Sequence, residues 1–378
     1  MPLQAEILII GGGLAGLTAA LHLNKLGFEV ALIEKSVYPH HKVCGEYISN
    51  EVLPYLNWLG IDLRNLLPTQ INKLQFTSAS GKQVNTSLPL GGFGISRHSI
   101  DNYLYKLAIN NGVNVIHQKV DQVTFNENHF LVETTSGTSF EARYVLGAYG
   151  KRSAVDIKLE RKFINQKSPY LAIKAHYRSN FPNNLVSLNS FPGGYCGVSK
   201  VENDVLNVCY LASYESFKKH KDIEAYQENV LYQNKNLKEI LQEAEMIFDA
   251  PLTISQISFQ QKEPVHHHIL MLGDTAGLIH PLCGNGMAMA IHSAKIAAEL
   301  LAKHRLNTSA DRFELEKNYT LAWKRLFSKR LQAGKVLASF LKNKIVEDVA
   351  INIAAKFPAV LQKMIKYTHG KPITILDL

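Results

Sequence analysis

The first apolar run of the chain, residues 5–10, is short and ends on glycines, so it reads as a buried strand. Apolar positions then recur at helical spacing over 14–26, Gly27 stops that helix, and 28–33 is a second apolar strand. Together they form a β-α-β unit. Residues 37–60 are irregular and then helical, with Pro54 near the helix. Alternating stretches at 71–76 and 83–88 flank Gly81, and a helix is expected at about 99–110. Short strands over 113–117, 120–125 and 129–135 lead to a further apolar strand at 144–148.

From about 155 to 265 the period changes. Alternating strands at 170–177, 186–191, 195–200 and 205–211 surround a polar helical stretch near 222–245, the pattern of an antiparallel sheet. An apolar strand returns at 269–273 and a helix at 287–304. From 315 onward the chain reads as helical, basic and amphipathic, suited to packing on its own body or touching a membrane. The expected fold is α/β: a discontinuous parallel-sheet domain (1–155 plus 266–310), an inserted antiparallel-sheet domain (156–265) and a helical C-terminal region (311–378).

Composition narrows the classes. The 378 residues suit two coupled domains, and 46% hydrophobic with 19% charged residues is ordinary for a globular chain. No apolar run reaches the roughly 18 residues of a spanning helix. Cys44, Cys196, Cys209 and Cys283 lie far apart without a C-x-x-C pair. That argues against a disulfide framework or structural zinc and for a reducing cytoplasm. The net charge of +9 comes without a basic block interleaved with aromatics, so no nucleic-acid partner is expected. A basic face can still rest on an anionic membrane.

Gly11-x-Gly13-x-x-Gly16 lies between the first strand and helix. Gly11 makes the tight turn, Gly13 lets backbone approach a pyrophosphate, and Gly16 allows close helix–strand packing. The helix start, with Leu14 and Ala15, offers free N–H groups to phosphate. Glu34 ends the second strand, where a carboxylate accepts bonds from ribose hydroxyls, with Lys35 beside it. Far downstream, Gly273-Asp274 closes an apolar strand, and Gly284-Asn285-Gly286-Met287 opens a long helix. Asp274 can bind ribityl hydroxyls, and the amides of 284–287 can face a flavin edge that gains negative charge on reduction. The pair of elements points to FAD rather than NAD, held without a covalent bond in a Rossmann-type domain.

These residues, with Lys42-Val43-Cys44-Gly45-Glu46, Arg97 before a helix, and Phe191-Pro192-Gly193-Gly194-Tyr195, resemble the p-hydroxybenzoate hydroxylase-like FAD superfamily. The resemblance is closest to its geranylgeranyl reductase-like branch and covers roughly residues 5–300. It implies that Glu34 holds the adenosine ribose, that Arg97 sits near the pyrophosphate and that the backbone of Val120 meets adenine. It also implies that the Lys42–Glu46 loop, with Lys42, Cys44 and Gly45, runs beside the isoalloxazine, and that Gly194 and Tyr195 line a substrate pocket. Cys44 is the candidate catalytic residue, because in the reductase branch this cysteine is linked to substrate reduction. Read by itself, it is a small packing residue.

Two departures matter. Tyr149 stands where the hydroxylases carry an acid tied to FAD and NADPH, which puts the usual route for NADPH or NADH as electron donor in question. Cys196-Gly197-Val198 replaces the tryptophan-bearing wall of the prenyl reductases, and the halogenases' Trp-x-Trp-x-x-Pro is absent. Among single residues, His266, His267 and His268 precede a strand whose alternation splits them between faces, so no metal site is expected. His40, His41, His280 and Lys200 are weaker candidates for contacts near the flavin or substrate. The leading expectation is a monooxygenase acting on a hydrophobic small molecule, aromatic or polyketide-like. The alternative is a reductase acting on double bonds of a prenyl lipid.

Overall fold

The computed structural model describes residues 2–220, 222–304, 309–341 and 343–375. Strand Leu3–Ile10 pairs in parallel with Val30–Ile33 and Ser139–Gly147, with Ile9 opposite both Leu32 and Leu146. Asn114–Ile116 extends one side and Ile269–Met271 the other, so the chain returns to this sheet after the insertion. Ile7, Leu8 and Ile9 are all buried, because a parallel sheet is covered on both faces. Helix α1 (Leu14–Lys25) packs against α2 (Arg97–Asn110) and α3 (Gly286–Lys303).

The second sheet runs Glu245–Met246, Tyr170–Arg178, Leu206–Ser213, Gly194–Lys200, Leu185–Phe191, Thr69–Thr77, Gln83–Gly94 and Tyr47–Ser49. The inserted strands are antiparallel, as expected. The strands around Gly81, which the sequence sets within the span of the first domain, belong to this second sheet, and Tyr47–Ser49 is a strand where irregular chain is expected. Leu185–Phe191 pairs in parallel with Thr69–Thr77, Leu188 opposite Phe76, and so draws them into the second sheet. Alternation shows that a strand buries one face, not which distant strand it joins. One face of this sheet packs through Phe191, Val208 and Tyr210 onto Tyr226, Leu231 and Leu237 of the Ile223–Gln242 region. Burying each such leucine contributes about 2 kcal/mol.

The C-terminal region forms α4 (Ser309–Phe340), α5 (Lys344–Lys356) and α6 (Pro358–Thr368). Early in α4, Leu315, Trp323 and Phe327 are buried against the first domain, and Tyr319 donates to the Met271 carbonyl at 2.6 Å. Helices α5 and α6 lie along Gln83–Gly94, with Ile351 and Ala354 near Val84 and Ile365 near Leu88. Arg330 donates to Glu51 at 3.0 Å, and Glu51 also accepts from Asn285 at 3.1 Å. The tail is thus built into the body of the protein. Among the described residues, no helix is long and apolar enough to cross a membrane.

Candidate active site

The glycine turn does three different jobs. Gly11 has φ +105°, and a Cβ there would meet the Ala148 carbonyl oxygen at 2.5 Å. A Cβ at Gly16 would collide with the Gly11 carbonyl, so α1 could not approach the strand. At Gly13, by contrast, a Cβ would meet no backbone, only the ends of two cationic side chains. A Cβ there would stand 3.3 Å from Arg97 Nη2 and 3.9 Å from Lys42 Nζ. Gly13 caps α1 without a side-chain bond, and the first turn of α1 has no acid. Free amides, a helix dipole and two cations make an anion cradle that fits the pyrophosphate of FAD.

Asp101 holds those cations in place. Its carboxylate accepts from Arg97 Nε at 2.8 Å, from Arg97 Nη2 at 2.7 Å and from Lys42 Nζ at 2.8 Å. Burial alone would raise the Asp101 pKa, but the Arg97 and Lys42 charges outweigh it and hold the group below the usual range. Glu34 is fixed in turn. It accepts from the Gly12 N–H at 2.7 Å and the Ser36 N–H at 2.9 Å, and keeps lone pairs for ribose hydroxyls.

One cavity of about 880 Å³ gathers most of the expected residues. Its walls include Glu34 and Lys35, then Gly13, Leu14, Ala15, Lys42 and Arg97, then Cys44, Gly45, Gly273, Asp274, Gly284, Gly286 and Met287. Tyr195 joins from the second sheet. Gly11 and Gly16 stand behind the wall and shape the turn. Val120 and Gly194 are not part of the wall. Val120 is buried opposite Thr134, and Gly194 is closed in by Phe191 and the Leu211 carbonyl.

Past the cofactor groove the same cavity continues into an apolar chamber. Leu74, Leu88, Val186, Leu188 and Leu211 line it from the second sheet, and Leu361, Met364 and Ile365 from α6. Gly197 stands in this wall with nothing nearer than 3.6 Å to a Cβ placed on it, so the lack of a side chain widens the chamber.

Glu46 closes the loop that the resemblance sets beside the isoalloxazine, and its side chain has partners that the resemblance does not name. Its backbone is left-handed, with φ 54°, and its carboxylate is fully buried. It accepts from the Arg97 N–H at 2.7 Å and Lys174 Nζ at 2.5 Å, with His176 Nε2 at 2.7 Å. A buried charge is costly unless paired, and here three partners share it. Burial pushes the Glu46 pKa up, but the His176 bond and the Lys174 charge win and hold it down. The Lys42-to-Glu46 loop is thereby tied to α2 and to Tyr170–Arg178 at once. Ligand atoms of His41, Glu46 and His176 lie within 4.8 Å of one another, yet the Lys174 ammonium on Glu46 makes this an ion-pair cluster. The readable signal was Lys174 and His176 alternating on one side of an apolar strand.

Buried cations also hold the Asp274 turn. Lys262 Nζ donates to the carbonyls of Asp274 and Lys151, both at 2.8 Å, and Arg161 donates to the Thr275 carbonyl at 2.8 Å. Burial brings the Lys262 pKa down to about 8. Tyr149 lines the cavity and donates to Met271 Sδ at 3.4 Å, so a phenol occupies the place of the expected acid. Cys44 is half-buried in the wall, and Asn207 Nδ2 donates to its carbonyl at 3.3 Å. The weaker candidates divide. His40 lines the cavity, while His280 packs on Tyr195 and Phe259 outside it, and Lys200 bonds Asn183 and Asp204. His266 meets the Leu159 carbonyl and packs on the His267 ring at 4.5 Å, while His268 meets Glu316.

A glycine turn under two cations, a ribose carboxylate and a second Gly-Asp turn on one groove define a dinucleotide-binding flavoprotein. Residues 4–320 match the family described as FAD binding domain, and the chain belongs to that family. It is an FAD-dependent oxidoreductase of the superfamily that holds monooxygenases, halogenases and reductases. It is similar to conditioned medium factor receptor 1 of Dictyostelium discoideum, 23% identical over 93% of this chain and 74% of that protein. Among solved structures it resembles the flavin-dependent brominase Bmp2, with TM-score 0.78, 16% identity and coverage of 97% and 93% of the two chains. It also resembles a geranylgeranyl bacteriochlorophyll reductase-like protein of Thermoplasma acidophilum, with TM-score 0.74, 19% identity and coverage of 96% and 99%. At these identities the structures establish the fold.

Proposed function

We propose that this protein oxygenates a hydrophobic small molecule, aromatic or polyketide-like and bearing a long apolar portion, with electrons drawn from NADPH or NADH. The observation behind this reading is that the cofactor groove runs without a break into the apolar chamber. Burying an alkyl or prenyl chain there contributes about 25 cal/mol per Å² of surface removed from water. Bound FAD supplies the two-electron chemistry and the reaction with oxygen. The chain's own residues orient the substrate and exclude water.

The wall bears Gly197 and Val198 of the Cys196-Gly197-Val198 run, which stands where the prenyl reductases carry a tryptophan segment, and this favours oxygenation over reduction. Saturating a double bond needs a proton delivered to carbon, and burial pushes the Cys209 and Cys283 thiols up to about 12. Both hold their protons too firmly to act as acids near neutral pH. Oxygenation makes no such demand on the protein. One observation favours a second reading, reduction of a prenyl-lipid double bond: the half-buried Cys44 residue stands in the cavity wall.

Oxygen consumption and flavin reoxidation with long-chain phenols and prenyl lipids, followed with and without air, separate the two. Substrate-stimulated oxygen uptake supports the first reading. Flavin reoxidation by a prenyl lipid without air rejects it in favour of the second.

A further inference from the structure

We infer that the outer face of α5 and α6 docks on an anionic lipid bilayer, and that the substrate chamber opens onto that face. Binding to lipid stands apart from the reaction proposed above; only the nature of what enters the chamber rests on that reading.

Helix α5 buries Ile351 and Ala354 inward, yet it turns a second apolar stripe outward. Ile345 is 76% exposed, Val349 51%, Ile353 47% and the following Phe357 60%. Steps of four residues put these side chains on one face. Val360 and Tyr367 continue the surface on α6, both exposed. A globular protein normally turns charge to water on such a face, and an apolar patch of this kind marks an interaction site.

Charge selects the partner. Lys344, Lys356, Lys363, Lys366 and Lys371 are exposed around the stripe. The two acids of α5 are turned away from it: Glu347 is buried, and Asp348 accepts from Ser80 and lies 3.8 Å from Lys82 Nζ. Among the described residues, the outward face of the two helices therefore pairs apolar side chains with positive charge alone. An anionic bilayer answers both, taking the apolar stripe into the headgroup boundary while the ammonium groups reach phosphate. A second copy of the chain, meeting the same patch about a two-fold axis, would set lysine against lysine.

The cavity reaches the surface inside this patch. Ile353 of α5 and Val360 of α6 are both exposed, and both line the cavity. A membrane-dissolved substrate would pass between the two helices into the chamber without crossing water.

The test uses the full-length flavoprotein in flotation with vesicles of phosphatidylglycerol mixed with phosphatidylcholine, and with phosphatidylcholine alone. Binding to the mixed vesicles is expected, weakened by salt and by about fivefold for each lysine lost from the patch, as in Lys363→Gln and Lys366→Gln. The triple variant Ile345→Ser, Val349→Ser, Phe357→Ser should also bind less while keeping its flavin absorbance; none of these positions lines the cavity. Should that variant fail to fold, the lysine variants and the salt series carry the test. Equal binding to both vesicle types, or no binding to either, would overturn the inference. So would a dimer that dissociates in the triple variant.

Discussion

Arg97 donates twice to Asp101, at 2.8 and 2.7 Å, and this pair decides where the cation facing Gly13 stands. Lys42 shares the same carboxylate, so two partly exposed cations stand on one buried anion. Breaking a buried pair from one side costs about 3–5 kcal/mol, because the partner charge is left unpaired. Arg97 and Lys42 keep contact with water, so Asp101→Asn should destabilise the apoprotein by less than that, about 1–3 kcal/mol. The FAD-bound form should lose less, since the pyrophosphate replaces the missing negative charge. Thermal unfolding of both forms checks this; equal losses would mean that the cations do not face the cofactor.

Asp274 and Gly13 test the two ends of the groove separately. Asp274→Ala removes a charged acceptor worth about 1.5–3 kcal/mol, so FAD affinity should fall roughly ten- to a hundredfold while the apoprotein still folds. Gly13→Ala should leave the apoprotein intact and weaken FAD roughly tenfold or more, about 1.4 kcal/mol, because its Cβ fills the cradle. Flavin fluorescence titration measures both. Unchanged affinity in either variant would remove that residue from the cofactor site.

These positions were legible in the sequence because each is constrained by local chemistry: a positive φ at Gly11, a cradle at Gly13, a strand-end acid at Glu34 and Asp274. The strands of residues 69–94 were legible as strands but not as members of the second sheet, since pairing such as Leu188 with Phe76 is not encoded nearby. Glu46 stood in a recognised motif, yet its partners Lys174 and His176 lie in another domain of the sequence. The chamber was hidden for the same reason. Its far wall is made by α6, which is remote in sequence from the strands it covers.

Cys44→Ser separates the two chemistries. If the protein oxygenates its substrate, the variant should keep its FAD and change turnover little. Loss of a general acid in double-bond reduction would instead slow turnover by about a hundredfold. Steady-state rates with a flavin-saturated variant decide, and a large loss would overturn the oxygenation reading.

Acid should destabilise the fold through His22. Burial, aided by the Lys295 and Lys25 charges, lowers its pKa from 6.5 to about 3. Below 6.5 the unfolded chain takes up a proton that the folded protein refuses, so stability falls with pH by about 1.4 kcal/mol per unit. The loss continues until the folded value is reached. His22→Leu should flatten this acid limb by that slope. The Tyr55 hydroxyl lies 2.8 Å from His22 Nδ1, so the variant should also cost about 1–3 kcal/mol at neutral pH by orphaning that hydroxyl. Denaturant midpoints across the acid range test it; an unchanged slope would mean that His22 titrates normally.

The claim that one cavity joins the flavin groove to an oxygenation chamber is tested most directly by isotope. The reduced, FAD-loaded protein is mixed with a long-chain phenol under heavy-isotope dioxygen, and the product is weighed by mass spectrometry. A hydroxylated product carrying one labelled oxygen atom from the gas is expected. A product without label, or a saturated product formed equally well without oxygen, would contradict it.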